Sequence, residues 1–371
     1  MNILFVTPSD KVGGGNRAMF SLAAEIARWH CVELAFPANR AYPKIRPATN
    51  VRTTAVGYDY GSRYGFLLNH LHLLAWIRRH RPRFDAVVAT GQTTGIMLPL
   101  IVHPALYNYI QTDEFAISQE GHLAGHPLLY RLYQWLIHRS LRDPDIGCLF
   151  NSQYTYRSFS SRDGLSGRQS RIIRCGVETA VFRPGTRSPG RRPVRIISIV
   201  RGQRWKGLHV LLEAYRLLPL QCRERSAWHL ITPDDLSAFS IPDGFHIHRP
   251  QNDDQLVPIL RRGDIFLSTS LWEGFGLPAL EAMACGCAVV TSQNGGCREY
   301  AGHGVNCLTY PPNDPARLAE HLAQLIEDSR LRSRLSRNGR RTAARFTWQE
   351  AARRLLVFVA ERVAVSPCPR S

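Results

Sequence analysis

Glu273 and Glu281 flank a glycine-rich turn in the segment LWEGFGLPALEAMACG, residues 271–286. The run 265–270 before it reads as a strand, Pro278 suits the first helical position, and Gly286 suits the helix end. That places Glu273 in a strand-to-helix loop and Glu281 in the first helical turn, with both carboxylates toward the edge of a sheet. Gly274 and Gly276 let backbone N–H groups approach a ligand closely. A glutamate near a helix start is also favoured by the helix dipole alone. A second segment, IVRGQRWKG at 199–207, puts Arg201 and Lys206 on another strand-to-helix loop. Together with the unpaired N–H groups of a helix starting near Gly207, these cations suit a diphosphate. The segment lacks G-x-x-x-x-G-K-[ST], so it is not a nucleoside-triphosphate loop. A basic turn in a basic chain is its plainest alternative. A third segment, Asn294-Gly295-Gly296-Cys297-Arg298-Glu299, follows a further strand and brings a tight turn and another carboxylate to the same edge. A simple turn explains its glycines but not their place beside the other two signals.

These loops need strands and helices to hold them. Short apolar runs at 2–6, 32–36 and 86–89 alternate with helical patterns such as 18–29 and 66–80. The pattern restarts with strands at 195–200, 228–232, 265–270 and 288–291 and helices at 208–217, 278–285 and 316–327. Strands alternating with helices imply parallel sheets covered on both faces. The fold class is therefore α/β, with two Rossmann-like doubly wound domains whose strand ends line a cleft. Apolar periodicity disappears in PGTRSPGRRP, which reads as the linker. The expected division is a first domain over 1–183, a linker over 184–194, a second domain over 195–346, and a final helix and tail over 347–371.

The 371 residues carry 47 basic and 29 acidic side chains, a net charge of +18 that divides evenly at Arg183. The excess is not a basic tail. An apolar share of 44% is globular and argues against disorder. No apolar run reaches the ~18 to 20 residues of a spanning helix. The start, MNILFVTPSD, reads as a buried strand rather than an export signal. Nine cysteines without a C-x-x-C favour reduced thiols and a cytoplasmic setting.

The three segments together resemble the family 4 glycosyltransferases of the GT-B fold, the "group 1" family. Glu273 and Glu281 match its two glutamates seven residues apart within E-G-F-G-L-P-x-L-E-A-M-A. Arg201 and Lys206 match G-R-x-x-x-x-K-G, with Val200 in place of the glycine. Gly295, Gly296 and Glu299 match G-G-x-x-E, Cys175-Gly176-Val177-Glu178 resembles N-G-V-D, and Phe346-Thr347-Trp348 resembles the opening of the last helix. The resemblance implies a retaining, metal-independent transferase that needs no cofactor. It would move a sugar from a nucleoside-diphosphate-sugar donor to a glycan or lipid-linked acceptor in polysaccharide or glycolipid synthesis. It would give Glu281 the donor ribose hydroxyls, since an ionised carboxylate accepts two hydrogen bonds at once. Glu273 would hold the transferred sugar with backbone N–H groups of Phe275 and Gly276. Arg201 and Lys206 would neutralise the leaving diphosphate. Gly295, Gly296 and Glu299 would join the donor site, and Gly14, Gly15 and Gln111 an acceptor or phosphate loop. The final helix would cross back to brace the first domain.

Rival readings come from other segments. Gly13, Gly15 and Ala18 fit G-x-G-x-x-A, with Glu33 farther on, as in a nicotinamide-dependent oxidoreductase. Residues 7–12, however, intervene between the strand and the loop. Asp143-Pro144-Asp145 imitates a metal-binding D-x-D but precedes its strand, so it reads as a turn and no metal is expected. Where the family often has a catalytic-site histidine, this chain has Gln111, followed by Thr112, Asp113 and Glu114, with His103 as another candidate. Residues 128–142 form an amphipathic pattern with aromatics among arginines, which suits either an anionic leaflet, in a peripheral position on the inner face of a membrane, or an ordinary domain helix. Arginine-dense 330–345 reads as a solvated helical face. Nucleic-acid binding has only net charge in its favour and no reading module.

Overall fold

The computed structural model describes residues 1–11, 13–38, 45, 47–58, 63–112, 127–163, 165, 170–185 and 193–365. Asp113, Glu114 and most of the expected linker, 186–192, lie outside them. Two units divide the chain: Met1–Gly176 with Trp348–Ser371, and Val177–Thr347. The first unit closes earlier than the border expected at 183. Its last strand ends at Ile172, the Ile173 N–H still bonds the Phe150 carbonyl at 2.7 Å within that unit, and the Val177 N–H then bonds the Phe346 carbonyl at 2.9 Å inside the second unit.

In the first unit, β1 (Asn2–Val6), β2 (Cys31–Pro37), β3 (Arg52–Val56), β4 (Ala86–Thr90), β5 (Leu106–Ile110), β6 (Ile146–Phe150) and β7 (Ser170–Ile172) form a parallel sheet in the order β3-β2-β1-β4-β5-β6-β7. AVVAT, LYNYI and IGCLF are buried along their whole length, as strands with helices on both faces must be. The helix Trp348–Val365 packs on the helix Gly14–Ile26. Tyr107 and Phe358 meet edge to face at 5.6 Å, and Gln349 Nε2 donates to Glu25 Oε2 at 3.4 Å.

The second unit holds β8 (Val194–Ile199), β9 (Ser226–Ile231), β10 (Phe245–His248), β11 (Ile265–Ser268), β12 (Ala288–Ser292) and β13 (Cys307–Tyr310), also parallel, in the order β10-β9-β8-β11-β12-β13. Leu211, Leu230, Leu267, Val290 and Leu322, all 0% exposed, sit in its core. The chain order reverses at β1/β4 in the first sheet and at β8/β11 in the second. In such sheets the crevice beyond the carboxyl ends of the two strands at the reversal is where ligands bind.

Two local readings need correction. The helix after β11 is Leu277–Ala284 with no acidic residue in its first turn, so Glu281 lies in the second turn. The strand before it ends at Ser268, not Ser270, because Thr269 turns away to donate its hydroxyl to the Lys206 carbonyl at 3.0 Å. Gly286 does stop the helix: with φ +84° it allows the Gly286 and Cys287 N–H groups to close on Met283 and Ala282 carbonyls at 3.0 and 2.9 Å.

Candidate active site

The loops after β8 and β11 meet at the reversal point of the second sheet. Gly207 has φ +68°, and a Cβ there would lie 2.0 Å from the Thr269 carbonyl oxygen, so only glycine permits this approach. The Leu271 N–H donates to the Trp205 carbonyl at 2.7 Å. Across this junction Lys206 Nζ pairs with Glu273 Oε1 at 2.6 Å, and the same oxygen accepts from Ser270 Oγ at 2.7 Å. Lys206 and Glu273 are 28% and 20% exposed, reachable from solvent yet held by neighbours.

Arg201, on the same loop as Lys206, donates through Nε to Asp234 Oδ2 at 2.8 Å, and the Gly202 N–H reaches that oxygen at 2.9 Å. Bonding through Nε leaves the terminal fork of the guanidinium for a second anion. Asp234 was not legible as a site residue in the sequence. It sits just beyond β9 in a polar turn, and only its spatial partner gives it meaning.

Glu273 is clamped from the other side by Asn294-Gly295-Gly296. The Glu273 N–H donates to the Asn294 carbonyl at 2.8 Å, and the Gly296 N–H to the Glu273 carbonyl at 3.0 Å. A Cβ on Gly296 would stand 2.4 Å from Phe275 N. Beneath this contact Phe275, Tyr300 and Phe346 pack ring against ring at 5.8 to 6.1 Å, and Tyr300 Oη donates to the Gly276 carbonyl at 2.7 Å. Burial above all, with smaller contributions led by Cys297 and Cys307, pushes the Tyr300 hydroxyl pKa well above its ordinary range. Glu281 is 5% exposed and Glu299 half-buried. Burial likewise pushes the Cys297 thiol up to about 11, so it stays protonated at neutral pH.

Gly14, Gly15 and Gln111 form a separate cluster in the first unit. Gln111, just after β5, donates through Nε2 to the Gly15 carbonyl at 3.0 Å and to Thr90 Oγ1 at 2.7 Å, while Asn151 Nδ2 donates to the Gln111 backbone carbonyl at 2.6 Å. Gly13 and Gly14 have open space where a Cβ would stand. His103 lies at the opposite end of β5. It accepts from the Ala105 N–H at 3.1 Å through Nδ1 and donates from Nε2 to the Phe84 carbonyl at 2.9 Å, which makes it a turn brace.

The rival motifs fare differently in space. Glu33 lies within β2, 6% exposed, accepting from Thr54 Oγ1 at 2.6 Å, rather than at the strand end where a ribose would be read. Asp143 closes a turn by accepting from the Asp145 N–H at 2.9 Å. Among the described residues no group of three or more His, Cys, Asp or Glu is placed to hold a metal ion.

Residues 187–342 match the family model described as "Glycosyl transferases group 1". The MMP alpha-(1->4)-mannosyltransferase of Mycolicibacterium hassiacum is 31% identical over 214 residues, 55% of this chain and 51% of that protein. The chain spans about half the length of the curated relatives it matches. The sucrose-phosphate synthase of Thermosynechococcus elongatus has the same fold, with a TM-score of 0.81 at 18% identity over 99% of this chain and 100% of that one. HepE of Anabaena, solved in complex with UDP and glucose, gives 0.73 at 18% identity over 97% of this chain and 100% of that one. These likenesses place both parallel sheets in the GT-B fold.

Proposed function

Because residues 187–342 match the glycosyl transferases group 1 family model, we propose that the chain is a retaining, metal-independent glycosyltransferase. It moves a sugar from a nucleoside-diphosphate sugar to a glycan or lipid-linked acceptor, in cell-surface polysaccharide or glycolipid synthesis. The observation that carries this reading is the convergence of Arg201, Lys206 and Glu273 on loops joined at the carboxyl ends of β8 and β11. A departing diphosphate gathers negative charge in the transition state, and fixed cations lower that barrier without a metal. Glu273, with the N–H groups of Phe275 and Gly276, takes the hydroxyls of the transferred sugar. Glu281 takes the ribose, and Gly295, Gly296 and Glu299 complete the donor site. The leaving phosphate oxygen accepts the proton of the attacking hydroxyl on the face it departs from, so configuration is kept and no protein nucleophile is needed. Gly14, Gly15 and Gln111 of the first unit serve the acceptor.

Thermal shift against a panel of nucleoside diphosphates and their sugars, with UDP compounds first because HepE is solved with UDP, identifies the donor by mass action. With that donor, Lys206→Ala lowers turnover roughly 10²- to 10³-fold, and Glu281→Gln weakens donor binding. Full turnover in either variant refutes the assigned roles.

A membrane-surface contact accompanies this reading. On the helix Pro127–Arg142, Leu128, Leu132 and Trp135 are 80%, 53% and 54% exposed at successive turns of one face, and Arg139 lies 5.7 Å over the Trp135 ring. Apolar side chains among exposed arginines suit an anionic leaflet. No described helix is long and apolar enough to cross a membrane. Vesicle sedimentation tests the contact: binding rises with anionic lipid and falls with salt, and equal binding to neutral vesicles removes its basis.

A further inference from the structure

Trp205 and Trp272 stack in an offset pair, ring centroids 5.5 Å apart and planes 15° from parallel. Each is half-buried, and each immediately precedes one member of the Lys206–Glu273 ion pair. The glycosyltransferase reading, on which this inference rests, gives those two charges to different parts of the donor: the cation to the diphosphate, the carboxylate to sugar hydroxyls. A bound donor must therefore part them. The ion pair then no longer ties the two loops together at the moment their spacing matters.

We propose that the Trp205–Trp272 stack is the latch that keeps the β8 and β11 loops in register after the donor has separated Lys206 from Glu273. The other ties lie at the loop roots. These are the Leu271 N–H to the Trp205 carbonyl, the Thr269 hydroxyl to the Lys206 carbonyl, and Gly207 against Thr269. They fix the backbones but leave the direction of the side chains beyond them to the indoles. The indole faces carry no net charge, so replacing an ion pair by a charged ligand leaves their packing intact. Offset aromatic stacking is also directional, which a loose apolar contact is not. Both tryptophans are positioning residues: they touch no reacting atom.

The latch predicts a split between two ligands. A bare nucleoside diphosphate needs the cations and the ribose contact but not Glu273, whereas the sugar nucleotide needs Lys206 and Glu273 at a fixed separation. Calorimetric titration of the full chain with UDP and UDP-glucose, or with the pair the panel selects, reads this directly. Trp272→Ala weakens sugar-nucleotide binding about tenfold and the bare diphosphate by less than about twofold, the larger figure being that of an aromatic pair. Trp272→Phe restores most of the difference. The near-ultraviolet circular dichroism of the coupled indoles disappears in Trp272→Ala and equally in Trp205→Ala. Equal losses for both ligands, or none, overturn the latch while leaving the transferase reading in place. A wild-type chain that binds no nucleoside diphosphate at all overturns that reading and the latch with it. Should the alanine variants fail to fold, Trp205→Phe with Trp272→Phe carries the same comparison: a sugar-nucleotide loss below tenfold that still exceeds the bare-diphosphate loss supports the latch, and equal losses for the two ligands reject it.

Discussion

Replacing Gly296 by alanine tests the clamp on Glu273 most directly. The added Cβ would lie 2.4 Å from Phe275 N and from the Gly274 carbonyl carbon, and 2.5 Å from the Gly274 oxygen. All three are backbone atoms, so no rotamer change relieves the contact. The glycine-rich loop must retreat by about 1 Å to restore ordinary van der Waals spacing, as overpacked sites do. That retreat carries Glu273, whose N–H and carbonyl bond Asn294 and Gly296 across the same gap. Displacing a reacting group by this much costs roughly 100-fold in rate. Overpacking costs about 1 to 3 kcal/mol, a fall of roughly 2 to 12 °C in Tm for a unit of this size. The assay is release of nucleoside diphosphate from the selected donor, with thermal unfolding measured in parallel. Gly302→Ala is the control, since its Cβ would approach Val305 Cβ only to 3.4 Å. Wild-type turnover in Gly296→Ala would show that the loop is not held at Glu273 by this contact, and the reasoning would fail.

Asp234→Ala removes the anchor of Arg201 Nε and of the Gly202 N–H, and donor affinity falls roughly tenfold, the scale of one charge-assisted hydrogen bond; titration giving an unchanged Kd rejects the anchoring role. With cations supplied by the chain, turnover persists in EDTA, and a loss reversed by a divalent ion would reject the metal-free reading. Burial first, then His246, His248 and Arg195, lowers the His229 pKa from 6.5 to about 4. The unfolded chain thus takes up a proton that the folded one refuses, and stability present above pH 6.5 is lost as pH falls toward 4. After allowance for screening at this partly exposed edge the loss is about 1 to 2 kcal/mol. His229→Gln should flatten the stability profile over that interval, and an unaltered slope would assign the loss elsewhere.

Much of the fold could be read from the chain because buried parallel strands are short apolar runs. AVVTS and IGCLF show no alternation, and both are buried throughout. The edge strands β3 and β10, RTTAV and FHIH, escaped notice because their outer positions face solvent and carry polar side chains. The site was legible where glycine spacing and charge coincide, at Glu273, Lys206 and Gly296. Its remaining parts depend on contacts between residues distant in sequence. Asp234 matters only because Arg201 reaches it, and the Phe275–Tyr300–Phe346 packing joins three motifs that no spacing connects. Pro278 suits a first helical position, but the helix opens one residue earlier at Leu277, which moves Glu281 from the fourth helical position to the fifth and so into the second turn.

The helix Trp348–Val365 belongs to the first unit, although it follows the second in the chain. On the ribosome, residues 1–176 therefore emerge without the last layer of their own core. Tyr107 lacks Phe358, and the Asp145 carbonyl lacks the Arg362 guanidinium that later donates to it at 2.9 Å. The uninterrupted stretch 177–347 has no such debt and is free to condense first, an inversion of the usual vectorial order. A nascent chain stalled before residue 348 should thus present a protease-sensitive leading half joined to a resistant trailing one.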